Sequence, residues 1–296
     1  MKAFNNKETG LITSLDLKQT HVKVLYWIIF AIVLTVALAC LFPIVWIILS
    51  SFKDVKEFLS TPPTLWPHSF HPETVGAVWN KMNMSRSYLN TLVLALGEVA
   101  FSIVVNGLAG YVISRLKPKG SSLFFMLVLW SMMLPTSVNL VPLFATYQDF
   151  PIFHFSMMDT YWPMWLIQGA NAFNVLLFKS FFDSISISYI EAARIDGCSD
   201  FGIFRRIILP LSKPIVVTVA IFAFNISWAE FLTPYLVLKT KSLYTVPVQI
   251  FRMKSAGFLM NEYVIVLFFS MIPSMIIFLI FQDQIMHGMN LGGIKG

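Results

Sequence analysis

Ten polar or amphipathic side chains stand inside stretches that are otherwise apolar: Thr91, Glu98, Ser102, Asn106, Gln168, Asn171, Asn174, Asn225, Trp228 and Glu230. The first four follow one another at +7, +4 and +4, one face of a helix. Gln168, Asn171 and Asn174 recur at threes, and Asn225, Trp228 and Glu230 cluster within six residues. Aromatic faces with amide and carboxylate hydrogen bonds are what a polyhydroxylated solute such as a sugar requires. The same side chains also hold helices together across packing seams. Both readings stand at this level. Bond-breaking chemistry is poorly served: His21, His68, His71, His154 and His287 all lie outside the apolar stretches, and no nucleophile is placed beside a base. His68 and His71 are three apart, but in a Pro-rich stretch without a third ligand, so an exposed loop is expected there and no metal site. Cys40 and Cys198 are too differently placed to form a structural disulfide, and there is no phosphate-binding Gly-x-x-x-x-Gly-Lys-Ser/Thr loop.

The elements that must position these residues are membrane spans. Hydrophobic residues make up 57% of the 296 residues and charged ones 12%, about half the ~25% charged content of soluble domains. Six apolar runs follow: 24–50, 87–113, 122 to about 147, 161–182, 215–238 and 263–281. The third is expected to kink at Pro135 and Pro142. The first is too long for a secretory signal and continues beyond Cys40 as LFPIVWIIL. Pro62, Pro63, Pro67 and Pro72 forbid a long helix in the polar segment 51–86.

Between the fourth and fifth runs lies the polar stretch EAARIDGCSDFGIFRRIILP, 191–210. Residues 188–196 favour a short helix, Gly197 permits a left-handed turn, and Asp200 is the expected N-cap of a second helix. That helix places Phe201, Phe204 and Ile208 on one face, with Arg205 and Arg206 elsewhere, and ends before the next span at Pro210 and Pro214. Two short helices with a bend form a knob suited to docking in a cleft. An amphipathic segment lying on lipid headgroups is the competing reading.

The order Glu191-Ala192-Ala193, Gly197, Ile207, Leu209-Pro210 resembles the signature loop of the permease subunits of bacterial ABC importers. RSYLNTLVLAL, MLPTSVNLVPLFATYQDF, NAFNVLLFKSFFDSISISYIEAARIDG and the ending GMNLGGIKG are similar to the carbohydrate branch, close to maltose-type permeases, across residues 20 to 296. The resemblance implies an all-α polytopic membrane protein with six transmembrane helices and a cytoplasmic helix-turn-helix coupling loop. It implies one domain over 1–296: a cytoplasmic leader (1–23), a first helix (24–50), an extracytoplasmic loop (51–86), a five-helix core (87–285) carrying the coupling loop (183–213), and a tail (286–296). The coupling residues it marks are Glu191, Ala192, Ala193, Arg194, Asp196, Gly197, Phe201, Phe204, Ile207, Leu209 and Pro210. The implied partners are a second related permease, two cytoplasmic ATPases and an extracytoplasmic sugar-binding protein. This chain would bind no cofactor, ATP and Mg belonging to the ATPases, and would import a sugar, an oligosaccharide, by alternating access without being an enzyme. For the solute pathway the residues themselves nominate Gln168, Asn171, Asn174, Asn225, Trp228 and Glu230.

Charge orients the chain. With both termini in the cytoplasm of a bacterial cell membrane, 13 of the 21 Lys and Arg fall inside, the sign that cytoplasmic loops carry. Basic residues beside apolar spans meet lipid rather than nucleic acid, whatever the net charge of +6. An ion-coupled secondary transporter is the alternative; it would favour paired intramembrane acids and two matched halves. Glu98 and Glu230 are the acids well inside the runs, and no internal repeat is visible. The identity of the sugar is not written in the sequence.

Overall fold

The computed structural model describes residues 20–151, 153–253 and 257–290, and among them every regular element is helical. The chain divides into two compact units, 1–72 and 73–296.

In the first unit, α1 (Thr20–Ser50) is a 31-residue helix whose apolar side chains are almost all exposed. Its length, at ~1.5 Å per residue, exceeds the ~30 Å hydrocarbon thickness, so lipid or protein must cover it. It begins inside the stretch read as the leader; the rest of that leader lies outside the described residues. The segment that follows is not a plain loop. Asp54 caps α2 (Val55–Phe58), and the Glu57 carboxylate accepts from the Thr64 hydroxyl (2.8 Å), the His68 amide (2.9 Å) and the His68 ring (2.9 Å). Although desolvation opposes it, these donors hold Glu57 down at about 2. His68 is thus engaged by a carboxylate, and His71 by the Ser69 hydroxyl at 2.9 Å.

The second unit opens with α3 (Pro72–Lys81), where Pro72 takes the first helical position that tolerates it. Its axis is α4 (Met84–Leu116), about 50 Å of unbroken helix at ~1.5 Å per residue. α4 carries two π-helical turns, Ser102–Asn106 and Val112–Leu116. The remaining helices are α5 (Ser121–Ser131), α6 (Thr136–Gln148), α7 (Trp162–Gly169), α8 (Ala172–Ser184), α9 (Ser188–Ile195), α10 (Asp200–Leu211), α11 (Lys213–Ala229), α12 (Leu232–Val237), α13 (Val246–Met253) and α14 (Met260–Asn290). Helices α7, α8, α11 and α13 pack on α4, and α14 on α11. The close approach of α8 needs Gly110, where a Cβ would stand 2.8 Å from the Phe178 Cβ.

Three helices, α1, α4 and α14, are long and apolar enough to cross a membrane, and the pair α10 and α11, bent by 82°, makes a fourth candidate. The third, fourth and fifth apolar runs are each broken; the sequence predicts a kink in the third, whereas the fourth and fifth read as continuous spans. Pro135 stops α5 from continuing, because the residue before a proline is driven out of helical geometry. The fourth run breaks at Ala170–Asn171, where the Asn171 side chain accepts from the Asn174 amide (3.1 Å) and starts α8. The fifth breaks at Glu230, whose carboxylate accepts from the Thr233 amide at 2.9 Å to start α12. The last helix continues through 290, into the stretch read as a tail.

Pro273 lies inside α14, and a proline there leaves the carbonyl four residues back without its amide. That carbonyl, Phe269 O, accepts from the Tyr88 hydroxyl, and the next, Ser270 O, accepts from Trp228 Nε1 at 2.8 Å. Outside the spans, Asp159 accepts from the Lys239 amide (2.8 Å) and the Thr240 amide (2.9 Å), tying two loops together. The Thr240 hydroxyl is the largest cause holding Asp159 below the usual carboxylate range. Trp228→Phe keeps the aromatic packing but removes the donor and its bond to Ser270 O, so about 0.5–1.5 kcal/mol of stability should be lost. Thermal unfolding of the purified protein in detergent reads this as a lowered midpoint, and an unchanged midpoint rules the bond out as a determinant of the seam.

Candidate functional site

The stretch 188–211 forms the two short helices that its composition predicts. Helix α9 ends in a full Schellman motif: Gly197 N donates to Arg194 O (3.0 Å) and Cys198 N to Ala193 O (2.9 Å). Gly197 has φ +77°, a backbone state that costs an L side chain ~1–2 kcal/mol. The N-cap of α10 is Ser199, not Asp200: the Ser199 hydroxyl accepts from the Gly202 amide at 3.2 Å. Asp200 is instead free to pair with Arg194 across the bend, at 3.1 Å.

The knob is seated by burial. Ile190, Ala193, Ile203, Phe204 and Ile208 join Tyr111 of α4 and Phe178 and Phe182 of α8 in one core. The Phe204 and Tyr111 rings lie 5.3 Å apart. Below them Arg115 donates to the carbonyls of Phe182 and Ile185, and Ser114 donates to Asp183 at 2.6 Å. A cation on the last carbonyls of α8 also favours that helix's dipole. A π-helical turn, Phe204–Ile208, shifts the hydrogen bonding ahead of Pro210, with Leu209 N bonded to Phe204 O. The chain then turns through 82° into α11.

The coupling residues named from sequence therefore separate into two groups. Glu191, Ala192, Arg194, Asp196, Gly197, Phe201 and Pro210 are exposed. Ala193 and Phe204 are buried, and Ile207 and Leu209 half-buried against the same core. Phe204 is a core residue rather than an outward anchor, because α10 turns that face onto α4. Phe201, expected on that same face, is 63% exposed at the start of α10, and Ile195, which the sequence reading passed over, is 86% exposed. An isoleucine in an otherwise charged turn was the available signal.

The mid-span polar residues also divide. Asn174 Nδ2 donates to Ser102 Oγ (2.8 Å) and Asn106 Nδ2 to Gln168 O (2.9 Å), sealing α4 to α7 and α8. Asn225 bonds back to Ile221 O (3.0 Å) in its own helix. Trp228 is buried in the α14 seam, and Asn171 is a cap. Glu98, Gln168 and Glu230 do meet, around a cavity of about 80 Å³ closed by Met164, Ile167, Ile226 and Thr233. Gln168 Nε2 is buried there without a protein partner among the described residues. The space admits a few waters; it is well below the ~300 Å³ of the smallest typical ligand pockets. Among the described residues no group of three or more His, Cys, Asp or Glu is arranged to hold a metal ion.

The arrangement has known counterparts. Residues 102–291 match the family described as the binding-protein-dependent transport system inner membrane component. The chain is 31% identical over 264 residues to the probable ABC transporter permease protein YurM of Bacillus subtilis (strain 168), covering 88% of this chain and 85% of that one. It is 31% identical to the arabinooligosaccharides transport system permease protein AraQ of the same strain, covering 88% and 92%. A solved bacterial ABC transporter involved in the import of the acidic polysaccharide alginate shares the fold, with a TM-score of 0.76, 24% identity, and coverage of 90% of this chain and 98% of that one. With α9 and α10 seated on an all-helical membrane core, the chain belongs to the family of binding-protein-dependent transport system inner membrane components, the permeases of ABC transporters.

Proposed function

We propose that this protein is a non-catalytic permease subunit of an ABC importer for a sugar, most simply an oligosaccharide, and that α9 and α10 are its joint with an ATPase. The observation that carries the proposal is the knob's division of labour: one face is locked into the α4–α8 core, and the other leaves Glu191, Ile195 and Phe201 uncovered. A joint that transmits force needs a fixed base and an apolar outer face, and aromatic or aliphatic anchors dominate such interfaces. The sugar rests on the relatives' transport of carbohydrates, arabinooligosaccharides in the case of AraQ. In this reading a second related permease completes the pathway, two ATPases hold ATP and Mg, and a solute-binding protein delivers the sugar. The chain itself binds no cofactor. It crosses the membrane six times with both termini cytoplasmic, the broken runs counting as spans whose breaks are capped by protein. Glu98, Gln168 and Glu230 line the route at mid-membrane. The small cavity between them is its closed form.

Gly197→Val should abolish binding-protein-dependent ATP hydrolysis in proteoliposomes and release the ATPases on purification. Phe201→Ala and Ile195→Ala should weaken ATPase co-purification with the fold intact. Phe204→Ala should act through stability instead, costing about 3–5 kcal/mol as a buried aromatic does. Wild-type coupling in Gly197→Val removes the joint from this segment.

Orientation is read by labelling. In a background without Cys40 and Cys198, a cysteine at Ser69 or Lys241 should react with an impermeant thiol reagent on spheroplasts. A cysteine at Lys119 or Asp200 should react only after lysis, and the reverse pattern overturns the topology.

For the route, Glu230→Gln should keep the cap's acceptor oxygen and assembly while lowering sugar uptake severalfold. Normal uptake by both Glu230→Gln and Glu98→Gln, in an assembled complex, would remove the cavity from the pathway.

A further inference from the structure

A polar cavity of the second unit lies at the other end of α4 from α9 and α10. It has a volume of about 650 Å³ and is built from the start of α4, the 241–244 turn and α13. That is within the ~300–1,000 Å³ of small-molecule pockets. Since α4 is about 50 Å long at ~1.5 Å per residue, the coupling core at Tyr111 and this pocket at Met82–Ser87 stand on opposite sides of the hydrocarbon.

Its walls are one-signed. Lys81, Arg86, Lys241 and Arg252 line it, and no acidic side chain does. Lys81 is neutralised by Glu262 at 2.6 Å; the other three have no carboxylate partner among the described residues. Aromatic rings stand beside the charge. The Arg252 guanidinium lies 4.4 Å from the Tyr244 ring centre and 5.4 Å from that of Tyr235, which also meets Phe251 at 5.0 Å. Both contacts lie within cation–π range, so the two rings hold the guanidinium in place at the pocket wall.

The site is built, not a chance of loose loops. Asn90 Nδ2 donates to Ser242 O (2.7 Å) and Tyr244 O (3.0 Å), and Arg86 Nε donates to Ser242 O (3.0 Å). Gln249 Nε2 donates to Met82 O (3.0 Å) and Val246 N to Thr91 Oγ1 (2.9 Å). Two of the polar side chains counted above as span residues or their neighbours, Asn90 and Thr91, are therefore spent on fixing the floor of this pocket.

Cations able to bind a carboxylate bidentately, next to the exposed Phe251 ring and the half-buried Tyr235 ring, which can stack on a pyranose ring, describe a receptor for a carboxylated sugar. We infer that this pocket recognises an anionic saccharide of the uronate type as it enters, which makes the imported sugar acidic. The inference rests on the sugar-permease reading above and narrows its substrate class. Charge selection at the mouth also raises the local concentration of an anionic solute before the narrow mid-membrane route opens.

The test is direct binding to the full importer, this chain with its permease partner and ATPases, in nanodiscs of zwitterionic lipid without binding protein. Trigalacturonate and neutral maltotriose are compared by isothermal titration. Saturable trigalacturonate binding is expected, at least tenfold tighter than that of maltotriose and weakened by added salt. Arg252→Gln should weaken it at least tenfold, Lys241→Gln severalfold, and Arg252→Lys should restore part of the loss, which separates charge from misfolding. Equal affinity for the two trisaccharides, no saturable binding of trigalacturonate, or indifference to Arg252→Gln each overturns the inference. So does loss of trigalacturonate binding when phosphatidylglycerol replaces part of the lipid, which assigns the pocket to a lipid headgroup. The permease reading fails by a different result, wild-type coupling in Gly197→Val.

Discussion

A backbone group freed inside a membrane must find its partner within the protein, because lipid offers none, and each unmet group costs several kcal/mol. Much of this structure follows from that constraint. The bundle is interrupted at Ala170–Asn171 and at Glu230–Phe231, and Pro273 removes one amide donor inside the continuous α14; each site is met by a side chain. Asn171 and Glu230 cap the helices that restart, Tyr88 and Trp228 take the carbonyls that Pro273 frees or exposes, and Asn106 takes Gln168 O at the end of α7. Polar residues at mid-membrane depth are thus largely committed to backbone, and the few left over gain in meaning. Glu98 and the Gln168 amide, facing a common cavity with Glu230, are such a remainder.

The same constraint ties the two ends of the molecule to one rod. At one end, Arg115 closes α8 by taking the carbonyls of Phe182 and Ile185, and this fixes the floor on which α9 and α10 sit. At the other, Asn90 and Arg86 take the carbonyls of Ser242 and Tyr244, which fixes the floor of the cationic pocket. Both clamps are carried by α4. Helices α9 and α10 therefore share one packed core with α4 and α8, and such a core resists local deformation. The gaps that can change are at the breaks beside Glu230 and Asn171, where helices end and restart without continuous hydrogen bonding.

Two glycines set how tightly this can be built. Gly197 supplies the left-handed residue that closes the C-terminal turn of α9, between the exposed Ile195 and Phe201. Gly110 lets α8 lie against α4 at backbone distance, bringing Phe178 under the knob. One position is a matter of backbone geometry and the other of space.

The sequence by itself determined the helical membrane class, the family, and the two short helices of 188–211 with the bend between them. Those follow from apolar run length, from charge that sits mostly between runs, and from a motif whose Gly, Pro and apolar positions have local consequences. Helix α9, its left-handed turn at Gly197 and the restart before Phe201 are all short-range events, so spacing alone reveals them. What only the tertiary structure decided is which residues of each set face which neighbour. Phe201 and Phe204 read alike as anchors, yet the π-helical turn and the seat on Tyr111 bury the second and expose the first. Gln168, Asn171 and Asn174 read as one set recurring at threes, but a break at Ala170 sends them to a cavity, a cap and a seam. Arg86, Lys241 and Arg252 lie far apart in the chain and carry no joint pattern, so their convergence on one pocket depends on packing between α4 and α13. Local rules act over a turn or two of helix, whereas a site shared by distant helices exists only once the core has set their rotation and depth.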